Sequence, residues 1–446
     1  MRYPNQPTSR ARFVTGALLL AGLTLSGCSQ SATSLTPGLA KTTSHQISLA
    51  SKKVYPNSLS AFPVSLSAFP VSLSAFPVCQ TQSDPTIAQC KSALRTSLSA
   101  IPASVDPTQL PGYVPAHLQA AYGLLNISNT AGAGRKVAVV TAYVSSNLES
   151  DLATYRSEFG LPPCTVANGC LTIVNPNGNG HVADSGWAAE TAVDVEMVSA
   201  ICPLCNIEVV SAKSAKISDI ASAVDAAAAD SPVAISNSYS TTEVVAVNYA
   251  SHWVHPGIAV VAGGGDNGYG VSFPASIPSV VAVGGVSLVQ NPDGTFAAPT
   301  VWAGTGSGCS AYFKKPTWQT DTGCPNRTIN DIAAVADPNT GVMGYASQNG
   351  GWNVYGGTSV AAPIIAAMYA LAGTTAGMTD GSALYTANGN GLMNQVLGSN
   401  GTCPFAYLCN GEPTYDGPDG NGMPYGLDAF LSTASKGTFT LSLVGT

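Results

Sequence analysis

From Tyr113 onward, short unbroken apolar runs alternate with longer segments of helical period. Lys136–Thr141, Ile207–Ser211, Val233–Ser238, Ile258–Ala262 and Val280–Val283 are brief, rich in Val, Ile and Ala, and free of polar alternation. Strands read this way when both faces of a sheet are covered. Helices are predicted between them over Asn147–Phe159, Trp187–Ile201 and Ile217–Ala229. The alternation predicts an α/β fold with a mainly parallel sheet between helix layers. The helix at Trp187 is apolar nearly all round, which predicts that it is buried.

The N-terminal quarter has another texture. Arg2, Arg10 and Arg12 precede the apolar stretch Phe13–Leu25, too short to span a bilayer, as in an export signal over residues 1–27. Leu25-Ser26-Gly27-Cys28 resembles the lipobox of bacterial lipoproteins. That resemblance implies lipidation of Cys28, with the membrane as a partner. It also implies an exported chain at the cell surface or outer membrane, facing outside the cytoplasm. Residues 28–111 are rich in Ser, Thr, Pro and Ala, and Leu-Ser-Ala-Phe-Pro-Val begins at Leu59, Leu66 and Leu73. A proline every seventh residue forbids a coiled coil, so an extended tether is expected ahead of one domain over 112–446.

Composition narrows the function. Only 9% of residues are charged, against roughly 25% in ordinary soluble chains. The six basic residues up to Lys53 leave eleven of the 17 Lys and Arg beside all 24 Asp and Glu, so no basic footprint for nucleic acid exists. A 45% hydrophobic content excludes disorder. Few carboxylates also mean little to lose in acid. Beyond Cys28, ten cysteines fall into five close neighbours: 79/90, 164/170, 202/205, 309/324 and 403/409. In an exported chain these read as disulfides. Zinc at the Cys202-Pro-Leu-Cys205 pair is the rival, but it lacks a second ligand pair at a familiar spacing.

Three motifs carry candidate chemistry. Gly356-Gly357-Thr358-Ser359 runs into the apolar segment Ile364–Ala372 and puts Ser359 at a helix N-terminus, as a nucleophile or as an ordinary cap. The usual histidine partner is missing: His45, His117, His181, His252 and His255 all lie in unpromising contexts. Glu190 and Asp194 stand four residues apart in the buried helix, where two carboxylates are costly unless they share a proton or meet partners. Glu196 points off that face. Gly265-Asp266-Asn-Gly268 follows an apolar strand, where α/β sheets build sites, although Asp-Asn-Gly is also a turn.

Together with Phe273-Pro-Ala-Ser-Ile-Pro, Gly306-Ser-Gly-Cys-Ser and Ala336-Asp337-Pro338, these motifs resemble the sedolisins, the serine-carboxyl peptidases. The resemblance implies a subtilisin-like three-layer α/β/α fold and acid-active hydrolysis of peptides or unfolded proteins. It casts Ser359 as nucleophile, Glu190 as base, Asp194 as its orienting partner and Asp266 as the oxyanion-hole aspartate. Ser238-Tyr239-Ser240 resembles the edge that pairs with substrate backbone. Calcium is implied near the C-terminus, at Asn394 and Asp416, with one carboxylate fewer than usual. Thr141 stands where many relatives carry an acid, and residues 29–110 do not resemble a propeptide domain. A monomer is expected. The rival readings are an inactive surface binding protein and an Asp-His-Ser subtilase, the latter lacking its histidine motif.

Overall fold

The computed structural model describes residues 75–95, 110–143, 145–177, 184–373, 380–386, 391–393 and 397–431. The signal segment with Cys28, the first two hexapeptide repeats, His45, His181 and Asn394 lie outside the described residues. Among the described residues no helix is long and apolar enough to cross a membrane.

In chain order the elements are β1 (Ala75–Pro77), β2 (Gln89–Cys90), β3 (Ala93–Arg95), α1 (Pro115–Ala121), β4 (Lys136–Ala142), α2 (Leu148–Glu158) and β5 (Leu171–Val174). Next come α3 (Ser185–Ile201), β6 (Asn206–Ala212), α4 (Ile217–Ala229), β7 (Ala234–Asn237), β8 (Tyr239–Ser240), α5 (Glu243–Ala246), β9 (Ala259–Gly263) and β10 (Val281–Ser287). They are followed by β11 (Thr300–Val301), β12 (Gly308–Lys314), β13 (Asn326–Ile329), β14 (Ile332–Val335), β15 (Val342–Ala346), β16 (Gly351–Gly356) and α6 (Thr358–Ala372). The strands and helices expected from the apolar pattern all stand here, most within two residues of their expected ends; β10 runs on to Ser287 past the expected Val283, and α6 starts at Thr358, ahead of the expected Ile364.

The central sheet runs β11-β10-β9-β7-β4-β6-β5, with β14 also on β10, and is parallel except at β11. Its apolar runs bury both faces. Val137, Val139, Ile207, Val209 and Val261 face α3 and α6, whereas Ala138, Val140, Val210, Ile235 and Val260 face α4. Strand periodicity thus sends alternate residues of one run into two separate cores. Chain order reverses across β4, between β6 and β7. The carboxyl ends of β4 and β7 therefore flank the switch point, with β9 next to β7.

The five disulfides join Cys79–Cys90, Cys164–Cys170, Cys202–Cys205, Cys309–Cys324 and Cys403–Cys409, each the near neighbour expected. The tether expectation fails over residues 75–95. The third repeat supplies Ala75-Phe76-Pro77 as β1, which pairs with β3, and β3 joins β16. β2 pairs with β8, and Cys79–Cys90 ties the end of β2 back to the residues just after β1. Backbone pairing and the cross-link order a stretch whose composition alone would not fold.

Near the β13–β14 turn, Arg327 donates from both terminal nitrogens to Asp331, at 2.6 and 2.5 Å, and both side chains are wholly buried. Asp331 also accepts from Ala282 N–H at 2.8 Å and Tyr385 hydroxyl at 2.8 Å. Arg327→Met strands that carboxylate in the core. The expected cost is about 3–5 kcal/mol, read as a lower denaturation midpoint at unchanged slope. A midpoint within error of wild type would show the pair to be dispensable.

Candidate active site

The site is assembled where β7, β9 and β16 end and where α3 and α6 pass. β16 stops at Gly356, and Gly357 takes φ 96° before α6 begins. A Cβ at Gly357 would collide with the Lys91 carbonyl oxygen and lie 2.6 Å from Asp266 Oδ2, so this turn admits only glycine. The turn delivers Ser359 into the first turn of α6, fully buried. Its hydroxyl donates to the Ser238 carbonyl at 2.9 Å and accepts the Lys91 N–H at 3.0 Å.

α3 begins at Asp184, whose carboxylate caps the Trp187 N–H at 2.9 Å. One turn on, Glu190 accepts the Ser92 N–H at Oε2, 2.9 Å away. Glu190 Oε1 and both Asp194 oxygens are buried with no hydrogen-bond donor among the described residues. The Ser238 hydroxyl lies near Asp194 but is turned to the Ser359 carbonyl, at 3.3 Å. Two such carboxyls, four residues apart and without donors for these oxygens, are favoured in their protonated forms. The third acid of the helix serves the fold instead. Glu196 accepts the Tyr345 N–H at 3.2 and 3.0 Å and ties α3 to β15. Thr141 bonds Thr191 on α3 at 2.7 Å, a neutral contact.

After β9, Asp266 turns back toward α6. Its Oδ1 accepts from the Thr358 N–H at 2.9 Å and the Thr358 hydroxyl at 2.7 Å. Those two bonds leave Oδ2 on the side of Gly357 and the Lys91 carbonyl. Thr358 is the residue that the sequence motifs do not single out; its place beside Ser359 in the Gly-Thr-Ser run is the only local signal.

Burial sets the electrostatics. It pushes Glu190 up to about 7, a rise opposed by the Ser359 hydroxyl and the Ser92 amide. It drives Asp194 well above the carboxylate range, helped by the neighbouring Glu190 charge. Asp266 is raised to about 6 by burial, against the pull of the Lys91 ammonium and Thr358. Glu196 and Asp416 rise for the same first reason, Asp416 to about 6. Each of these folded-state pKa values lies above its unfolded value. Their contribution to stability is therefore full below about pH 4 and is lost as pH climbs through about 6 to 7. Asp84, Asp230 and Asp293 shift the other way but are fully exposed. Calorimetry on the Ser359→Ala chain should show Tm several degrees higher at pH 4 than at pH 8. A Tm that rises with pH would contradict these environments.

The described histidines stand elsewhere. His117 accepts the Val114 N–H inside α1, and His252 pairs with Asp225 at 2.6 Å on the surface. The edge Ser238-Tyr239-Ser240 is occupied: Lys91 N–H reaches Ser238 O at 3.2 Å, and Cys90 and Gln89 register with Tyr239 and Ser240. Asp416 sits in a buried turn, accepting the Glu412 N–H at 2.8 Å and the Asp419 N–H at 2.9 Å. No group of three acidic, His or Cys side chains converges on a metal position among the described residues. With both Asp416 oxygens committed to its own turn, those residues fit calcium poorly.

Comparison with known proteins bears on this arrangement. No family model matches the chain. Kumamolisin from Bacillus sp. (strain MN-32) is 30% identical over 329 residues, 65% of this chain and 58% of that protein. The sedolisin of Pseudomonas sp. (strain 101) is 39% identical over 114 residues, 23% of this chain and 19% of that one. A solved structure of Pseudomonas sedolisin, a serine-carboxyl proteinase complexed with two molecules of pseudo-iodotyrostatin, superposes with a TM-score of 0.61. It is 23% identical and covers 70% of this chain and 95% of that one, so it speaks for the subtilisin-like α/β fold. In sequence the chain is similar to the sedolisins, and it shares their fold. The chain spans somewhat over half the length of kumamolisin and a smaller share of the Pseudomonas sedolisin. Within it, Ser359, Glu190, Asp194 and Asp266 are gathered at one crevice, whereas Asn394 is outside the described residues and Asp416 belongs to a separate turn.

Proposed function

We propose that the chain is an acid-active serine-type endopeptidase that cuts peptides and unfolded proteins. The observation that carries this reading is a peptide unit already lying across the candidate groups. The Lys91 N–H meets Ser359 Oγ and Ser238 O, the Lys91 carbonyl faces the Gly357–Asp266 corner, and the Ser92 N–H meets Glu190.

A substrate in that pose gives each group its role. Ser359 Oγ attacks the carbonyl carbon, and its proton passes to Glu190. Asp194, holding the proton shared with Glu190, keeps that carboxyl oriented and spreads the charge change. The developing oxyanion lies against Asp266 Oδ2 and the N-terminal end of α6; a protonated Asp266 donates to it, whereas an ionised one repels it. Glu190 then hands its proton to the leaving amine, and water releases the acyl group by the same route in reverse. A carboxylate base works in acid, where histidine is already charged. Burial raises both Glu190 and Asp194, so in acid only chains whose pair has released a proton can take the one from Ser359, while Asp266 closes the window from above near pH 6. Endo-cleavage accords with chain continuing on both sides of the seated unit, β2 before it and β3 after it.

The export signal and the five disulfides support a place outside the cytoplasm, with Cys28 as the lipid anchor. The activity is tested by incubating the full chain with an unfolded protein at about pH 4, beside Ser359→Ala and Glu190→Gln. Fragments from wild type and none from either variant are expected. Equal fragmentation by all three would sink the assignment.

A further inference from the structure

Asp266 ends a chain of hydrogen bonds that starts in the central sheet. Just past β9, the Gly264 N–H donates to the Val283 carbonyl of β10 at 2.8 Å, and the Gly264 carbonyl accepts the Ser272 hydroxyl at 2.7 Å. The Gly265 carbonyl in turn accepts the Gly306 N–H at 2.7 Å. The peptide unit between Gly264 and Gly265 is therefore clamped on both sides, and its N–H meets the Thr358 hydroxyl oxygen at 3.1 Å. Gly263 lets the loop close on α6, because a Cβ there would stand 2.8 Å from that oxygen.

A hydroxyl has one proton to give. With the Gly265 N–H on its oxygen, Thr358 directs that proton to Asp266 Oδ1 at 2.7 Å, and the Thr358 N–H donates to the same Oδ1 at 2.9 Å. Two donors occupy both lone pairs of Oδ1. A proton placed there would expel one of them and strand a buried donor. Oδ2 lies instead beside Gly357, on the side of the Lys91 carbonyl. The charged groups facing Asp266 are the Lys91 ammonium and the Glu190 carboxyl.

We propose that Thr358 is a positioning residue whose hydroxyl, aligned by the Gly265 amide, assigns the proton of Asp266 to Oδ2, the oxygen that meets the oxyanion. The inference deepens the peptidase reading above and rests on it. Thr358 makes and breaks no bond in the reaction. It removes an alternative: an acid free to choose carries its proton on either oxygen, and only the Oδ2 form donates to the developing charge. The same two bonds favour the ionised carboxylate, so they hold Asp266 below the level that burial alone would set. Two effects of opposite sign follow from losing the hydroxyl. Turnover in acid weakens, and activity extends to higher pH. General damage to the fold would bring the first without the second.

Thr358→Val keeps the N–H and the side-chain volume and removes only the hydroxyl. At about pH 4, kcat for a short peptide should fall about tenfold with KM changed by less than about twofold, and the alkaline limb should move upward by roughly half a pH unit or more. Thr358→Ser should restore both. In an Asp266→Asn background, where position 266 does not titrate, Thr358→Val should leave the profile unmoved. A readout free of activity runs beside these: carboxyl carbon NMR of isotopically labelled aspartate in the Ser359→Ala chain, with Asp266 assigned by the loss of its signal in Asp266→Asn. Its midpoint of about 6 should rise when Thr358→Val is added. If Thr358→Val does not fold, Thr358→Ala takes its place with the same expectations. A lower kcat with limb and midpoint unmoved would make Thr358 a structural residue only and overturn the proposal, as would a limb that moves down. No hydrolysis by wild type at any pH would overturn the peptidase reading, and the proton placement would then stand or fall on the NMR midpoint.

Discussion

Ser359→Ala should lower hydrolysis of an unfolded protein at about pH 4 by roughly 10⁴-fold or more, with the fold unharmed. The hydroxyl is fully buried and held between the Ser238 carbonyl and the Lys91 N–H, so removing one oxygen creates little cavity. Glu190→Gln should cost a comparable factor, because an amide cannot take the serine proton. The double variant should be no worse than either single one, as expected for groups that act as a unit. Stability should move the other way. Glu190 is held near about 7 by burial, so the amide spares the fold an ionised buried acid above that pH. Glu190→Gln should therefore melt higher than wild type at pH 8. Turnover and calorimetry on the same preparations decide both points, and an active Ser359→Ala chain would remove the nucleophile from the account.

The second large effect concerns Asp266. Its Oδ1 is held by Thr358, and its Oδ2 faces the seated carbonyl. Asp266→Ala removes one oxyanion donor and should lower kcat by about 10²–10³-fold, with a much smaller change in KM. Asp266→Asn is more telling. An amide donates at every pH, whereas the acid donates only while protonated, up to about pH 6. The alkaline limb of the rate profile should move upward in Asp266→Asn, at some cost in peak rate. An Asn variant with an unmoved limb would show that another group closes the window.

Much of this architecture is legible in the chain because its signals are local. The unbroken run Val137–Val140 announces a strand buried on both faces, and the structure sends its alternate residues to two cores. Glu190 and Asp194 are legible for the opposite reason: an apolar helix such as α3 has no structural need for a stacked acid pair. Residues 75–95 mislead because their order comes from elsewhere. β2 spans two residues and β1 and β3 three each, too short to show a period, and their partners β8 and β16 lie far along the chain. Ser and Pro content reads as a tether, and the 79/90 pair reads as a loop staple. A cross-link inside a supposed tether is the clue, since an extended spacer has no use for one. Thr358 escapes notice because its role, aiming Asp266, becomes visible only once β9 and α6 are side by side.

The claim on which everything rests is that carboxyl groups, not histidine, run the reaction. It is tested most directly by the steady rate of hydrolysis of a short peptide from about pH 2.5 to 8, for wild type and Asp266→Asn. The account predicts a wild-type maximum in acid, a fall near pH 6, and survival of activity above that pH in the Asn variant. A wild-type rate that climbs through pH 6 to a neutral plateau, matched by the variant, would contradict it.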